Sequence, residues 1–235
     1  MKDFWDELFG TQPDPPSAVI LVTGGAALLL VLSGQPWRLA RNVITIVHEA
    51  GHALVALLVG RRLRGITLHS DTSGVTVSRG KPTGPGMVCT ALAGYVAPSL
   101  VGLGLAALVT AGKITLMLWV LTALLLAVLV MIRNLYGVLS VLATGAVLVV
   151  VSVVTTPEVQ SAFACLTAWF LLFGGVRPIW ELQVKRHRGH ARDSDADQLA
   201  RLTHTPGIFW VAMFILIALG AVLVGGLWLA APALA

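Results

Sequence analysis

Charge is scarce in this sequence. Only 11% of its 235 residues are Asp, Glu, Lys or Arg, where a soluble globular domain carries about 25%. That scarcity excludes an ordinary soluble fold, and no stretch has the composition of a soluble second domain. Cysteine is nearly absent as well. Cys89 and Cys165 are the two present and both fall in apolar runs, so no disulfide framework is implied. The N-terminal MKDFWDELFGTQPDPPS lacks a basic start with an apolar run directly behind it. Residues 1–17 therefore read as an acidic, amphipathic cytoplasmic segment and not as a cleavable signal. Internal repeats and low-complexity tracts are missing. The net charge of +5 does not point to nucleic acid, because the basic residues cluster between apolar runs, where lipid headgroups are the natural partners.

Apolar residues fill the space left by charge, at 57% of the chain. Runs of membrane-spanning length recur from end to end, so the expected fold is an all-α polytopic membrane protein. It has about six to seven transmembrane helices in one domain, residues 18–235, with a small membrane-proximal β-hairpin. Seven spans lie near 18–33, 42–60, 86–109, 114–132, 135–154, 161–180 and 207–229; six, with one re-entrant, is the alternative. Trp37, Trp180, Trp210 and Trp228 stand near span ends, as interfacial tryptophans do. In the seven-span arrangement 13 of the 16 Lys and Arg residues fall on one side. By the positive-inside rule this predicts a multi-pass protein of a bacterial-type cell membrane, with the N-terminus cytoplasmic and the C-terminus outside.

Two polar segments interrupt the spans. Residues 62–80, RLRGITLHSDTSGVTVSRG, alternate apolar and polar side chains on both sides of SDTSG, the pattern of a hairpin. It reads either as an interfacial anchor held by Arg61, Arg62, Arg64, Arg79 and Lys81, or as a strand edge that receives an extended substrate. Residues 181–206 form the longest polar loop, in which Ser194 can cap a short helix from Asp195 to about Leu202.

Against this apolar background, residues 44–60 read ITIVHEAGHALVALLVG. Ionisable groups inside a membrane are costly and usually functional. On a helix His48 and His52 lie one turn apart on one face, a spacing that suits one zinc ion (Zn2+), and Glu49 lies beside the open side of the metal. A metal there acidifies a water whose proton the glutamate can take and pass to a leaving amine, which is peptide-bond hydrolysis. A polar seam between helices explains a lone histidine but poorly explains two with a glutamate between them. His52 precedes the basic edge at Arg61 by nine residues, about 13 Å of helix, which puts the site inside the membrane but nearer the cytoplasm.

The intramembrane HEAGH, the hairpin after it, AGYVAPSLVG (93–102) and DSDAD (193–197) together resemble the site-2-protease family of intramembrane zinc metallopeptidases, in a compact bacterial form. The resemblance implies zinc ligation by His48 and His52, a catalytic role for Glu49, and a membrane protein with a transmembrane segment as substrate. The family's usual third ligand is the aspartate of an LDG motif, and this chain has no LDG. Its DSDAD resembles acidic SDA runs in compact members, which makes Asp195 the matching ligand. Asp193 is the alternative, with Asp197 supporting the site from behind. Asp71 reads as a solvated turn residue, and Glu158 is expected on the outer side.

Weaker signals are Gly94, Tyr95, Pro98 and Ser99, read as helix packing or as a wall of the site. Asn134 reads as a turn residue or a contact to a substrate carbonyl. KRHRGHAR (185–192) suits anionic headgroups, and His69, His187, His190 and His204 are solvent-side. Two rivals to the peptidase reading are a zinc transporter, which needs several ligand clusters along a path, and a non-catalytic scaffold holding a structural zinc. The latter would more often use four protein ligands and no Glu49.

Overall fold

The computed structural model describes residues 2–189 and 193–234. A short helix, α1 (Lys2–Phe9), precedes α2 (Ser17–Leu32) and α3 (Gln35–Leu58); then come the hairpin strands β1 (Arg62–Leu68) and β2 (Gly74–Arg79). The rest is helical: α4 (Pro85–Thr110), α5 (Ile114–Met131), α6 (Leu135–Val154), α7 (Pro157–His187), α8 (Asp195–Thr203) and α9 (Gly207–Leu234). Five of these, α4, α5, α6, α7 and α9, are long and apolar enough to cross a membrane, and the pair α2–α3 adds a sixth span if it is counted as one.

That pair departs from expectation. Its two helices are bent by 100° across Ser33–Gly34. Pro36 sits in the first turn of α3, and a proline disfavours helix in the residue before it and removes a backbone donor. The bend is held from outside, by the Arg177 guanidinium, which donates to Val31 O and Ser33 O at the open end of α2. Glu181 accepts from Trp37 Nε1 at 3.0 Å and from Arg177 Nε at 3.0 Å, and pairs with Arg41 at 3.3 Å. These charges satisfy one another where α3 enters the bundle, so α3 can start at Gln35, seven residues before the expected boundary at 42.

The bend changes how the chain crosses. Gln12 N donates to Gly112 O at 2.8 Å, Lys113 Nζ donates to Phe9 O at 2.6 Å, and Ala107, Thr110, Trp228 and Ala231 line one cavity. Residues 9–12, the α4–α5 turn and the far part of α9 therefore share one end of the bundle. The hairpin, the α5–α6 turn, the end of α7 and α8 occupy the other. Both ends of α3 belong to this hairpin end, Arg41 donating to Thr72 and Arg61 to Ser78. Six helices, α2, α4, α5, α6, α7 and α9, run between the two ends. The seven-crossing expectation, with the chain's beginning and end on opposite sides, gives way to an arrangement that has both on the same side. The 100° bend prevents α2 and α3 from being two successive crossings.

Small residues bring the central helices together. A Cβ on Gly51 of α3 would stand 2.5 Å from Ala97 Cβ, and one on Gly102 of α4 would stand 2.8 Å from the backbone of Leu172 in α7. Such contacts let membrane helices approach closely. The main core gathers Trp37, Met117, Leu118, Phe170 and Leu171. A second cluster around Ile179, Ala196, Leu199 and Phe214 docks α8 against α4, α7 and α9. Leucines and valines such as Leu29, Leu142, Val153 and Leu216 remain exposed on the outer surface, as lipid-facing side chains do.

The hairpin is antiparallel, pairing Ile66 with Thr76 and Leu68 with Gly74, with a bulge between Leu63 and Gly65. Its tip is an Asx turn in which Asp71 Oδ1 accepts from Ser73 N at 2.9 Å, the turn role expected of Asp71. The outer edge of β1 is covered. Ile66 bridges Ile132, and Asn134 both donates to Leu68 O at 2.6 Å and accepts from Leu68 N at 3.2 Å. Asn134 is thus an edge clasp.

A candidate metal centre between helix and hairpin

Helix α3 brings His48 and His52 to one face, their Nε2 atoms 3.1 Å apart. Asp195, the first residue of α8, reaches the same point, with Oδ2 3.2 Å from His48 Nε2 and 3.3 Å from His52 Nε2. Among the described residues this is the one group of three or more His, Cys, Asp or Glu side chains close enough to hold a metal ion. Asp193 lines the cavity beside it but is not part of that group. Asp197 is paired with Arg186 and shares hydrogen bonds with the capping Ser194. It therefore ties α8 to α7 and holds Asp195 in place.

Three observations bear on whether a cation fits. His52 Nδ1 lies 2.7 Å from Thr90 O; a carbonyl can only accept, so Nδ1 carries the proton and Nε2 presents its lone pair inward. Two imidazole nitrogens and a carboxylate oxygen at mutual contact repel one another unless a proton or a metal cation lies among them, and the N/N/O donor set is one that zinc uses. Finally, Gly94 of α4 backs the site. A Cβ there would stand 2.3 Å from His52 Nε2 and 2.6 Å from His48 Nε2, filling the space that a cation shared by both nitrogens needs. The residues fit the metal.

Glu49 is 4% exposed. Its Oε2 accepts from the Thr76 hydroxyl at 2.6 Å. Tyr95 packs edge-on against His48, ring centroids 4.8 Å apart, and stacks on Phe214 behind it at 5.0 Å. The site opens into a cavity of about 470 Å³ walled by α3, the length of β2 from Gly74 to Ser78, the start of α4, and residues 193–198.

A family model described as Peptidase M50B-like, of the site-2-protease family, matches residues 21–225. The chain belongs to this family. No curated protein and no solved structure matches it. The match runs from α2 into α9 and includes every residue of the site, and with the apolar helices it makes the chain a multi-pass membrane protein of a metallopeptidase family.

Within this M50B-like chain the structure sorts the weaker signals. Gly94 and Tyr95 wall the site, whereas Pro98 and Ser99 are buried in packing, with Ser99 against Gly175. His69 lies 3.3 Å from Ser73 Oγ at the hairpin tip, His187 pairs with Gln183, and His204 closes α8 in a left-handed conformation. His190 and the end of the KRHRGHAR cluster lie outside the described residues. Sequence reasoning missed Thr76 and the cluster of Trp37, Arg41, Arg177 and Glu181. Charges embedded in apolar segments were the available signal for that cluster. Nothing in the sequence singles out Thr76 from its neighbours in the strand.

Proposed function

We propose that the protein is an intramembrane zinc endopeptidase that cuts transmembrane or membrane-proximal segments of other membrane proteins. The observation that carries this reading is the convergence of His48, His52 and Asp195 beside a buried Glu49, in a cavity walled by an open strand edge. His48, His52 and Asp195 would hold the zinc, which supplies Lewis acidity to the attacking water and the scissile carbonyl when bound. Glu49 accepts the proton of the attacking water and delivers it to the departing amide nitrogen. Thr90 O fixes the His52 ring, and Tyr95, from the same helix, packs edge-on against His48.

A helical segment hides its carbonyls in backbone hydrogen bonds, so it must be extended before attack. The free edge of β2 supplies replacement bonds to such an extended segment. The outer edge of β1 is already taken by Ile132 and Asn134, which favours β2 as the receiving strand. A zinc transporter would require further ligand clusters along a path, and the described residues hold one.

The test is metal analysis of the purified protein beside a Glu49→Gln variant on a panel of single-span substrates. The expected result is about one zinc per chain in both proteins, with cleavage reduced by the ~10²–10⁴-fold typical of a lost general base. Normal turnover in the variant would refute the peptidase reading.

A further inference from the structure

The hairpin touches the base as well as the cavity. Residues 74 and 76 of β2 share one face of the strand, since side chains alternate with a period of two, and both meet Glu49. The Thr76 hydroxyl lies 2.6 Å from Glu49 Oε2 and 3.1 Å from Glu49 O. Gly74 leaves the room this approach needs, because a Cβ there would stand 2.6 Å from Glu49 Cγ and 2.7 Å from Oε1. A glutamate side chain has several rotatable bonds, and a short charge-assisted hydrogen bond to one oxygen removes much of that freedom. The other oxygen is left for the proton transfer. The strand is itself held: Thr76 pairs with Ile66, whose carbonyl accepts from Arg133 N at 2.9 Å, and Asn134 clasps Leu68 two residues on.

We infer that Thr76 is a positioning residue for Glu49, so that β2 orients the general base on the same strand that receives substrate. The inference rests on the endopeptidase reading. It also implies that settling of an extended substrate on β2 steadies the base at the moment it is needed.

The test uses the full-length, zinc-loaded protein in detergent. Thr76→Val keeps the shape and removes the hydroxyl, and Thr76→Ser keeps the hydroxyl and removes the methyl group. Small misplacements of a catalytic group cost up to about 100-fold. The valine variant is therefore expected to lose about 10–100-fold in kcat with KM and zinc content unchanged, and the serine variant to recover most of it. An infrared difference spectrum against Glu49→Gln identifies the Glu49 carboxylate band without any substrate; this band should shift in Thr76→Val and stay in place in Thr76→Ser. If the valine variant does not fold, Gly74→Ala tests the same contact, since it crowds Glu49 while leaving the hydroxyl, and kcat should again fall alone. An unshifted band, an unchanged kcat, or a serine variant as impaired as valine overturns the inference. A wild-type protein that cleaves nothing while the band shifts would instead overturn the peptidase reading, and the catalytic role of Thr76 with it.

Discussion

At the scale of single residues, the site depends on one carboxylate and one missing side chain as much as on its histidines. Asp193 and Asp195 stand two residues apart before and at the start of α8, and only Asp195 contacts both imidazoles. Asp195→Asn should therefore lose zinc after dialysis while Asp193→Asn retains it, measured by metal content of folded protein; the reverse result would exchange the two assignments. Gly94→Ala belongs to the same experiment. Its methyl group would stand within 2.6 Å of both ligand nitrogens, so the variant should fold and lose zinc, though it alters no ligand. The motif HEAGH announced its three polar residues because helix geometry fixes the separation of residues four apart. Gly94 was legible as helix packing or as a wall of the site, and its closeness to both imidazoles came only with the fold.

At the scale of elements, the hydrogen-bonding phase of the hairpin specifies how a substrate would dock. Leu68 N and O face Asn134, and Ile66 O faces Arg133, so these residues point their backbone groups away from β2. Their partners Gly74 and Thr76 are therefore in the non-hydrogen-bonded pairs of the ladder and point their own N–H and C=O groups toward the free edge. An extended peptide can bond at every second residue. Peptide substrates N-methylated at alternate positions should show a period of two, one set of positions abolishing cleavage and the set between tolerated. Uniform tolerance would make the hairpin an anchor alone. The sequence alternation placed both strands correctly, and the Ser194 cap placed α8 correctly. The polar run after 181 was expected to be loop, but α7 continues to His187, because Ile179 and Leu182 bury one side of it.

At the scale of the whole molecule, the packing alters the topology read from charge. Among the described residues, thirteen of the fifteen Lys and Arg residues lie in segments at the hairpin end, the exceptions being Lys2 and Lys113. This asymmetry is sharper than in the seven-span arrangement, and it predicts a cytoplasmic hairpin end with both ends of the chain outside. In a background without Cys89 and Cys165, single cysteines at the exposed Thr11 and Ala111 should react with membrane-impermeant thiol reagents on intact cells. Cysteines at Ser70 and Gln183 should resist them. Labelling at 70 and 183 with protection at 11 would invert the orientation.

What is local or compositional was readable from the residues alone: a membrane-embedded helical chain, the paired histidines with their glutamate, the hairpin, and the capped start of α8. These follow from hydrophobicity and from the fixed periods of helix and strand, which act over a few residues. Packing brings Asp195 to His48 and His52, sets Thr76 against Glu49, leaves space beside both imidazoles at Gly94, and folds α2 and α3 at 100°. Each of these depends on how distant elements pack: Ala196 and Leu199 buried under α9, β1 clasped by Asn134, and Arg177 reaching back to the end of α2. Contacts between segments far apart in the chain are set by the complementarity of whole surfaces, which no short stretch of sequence contains.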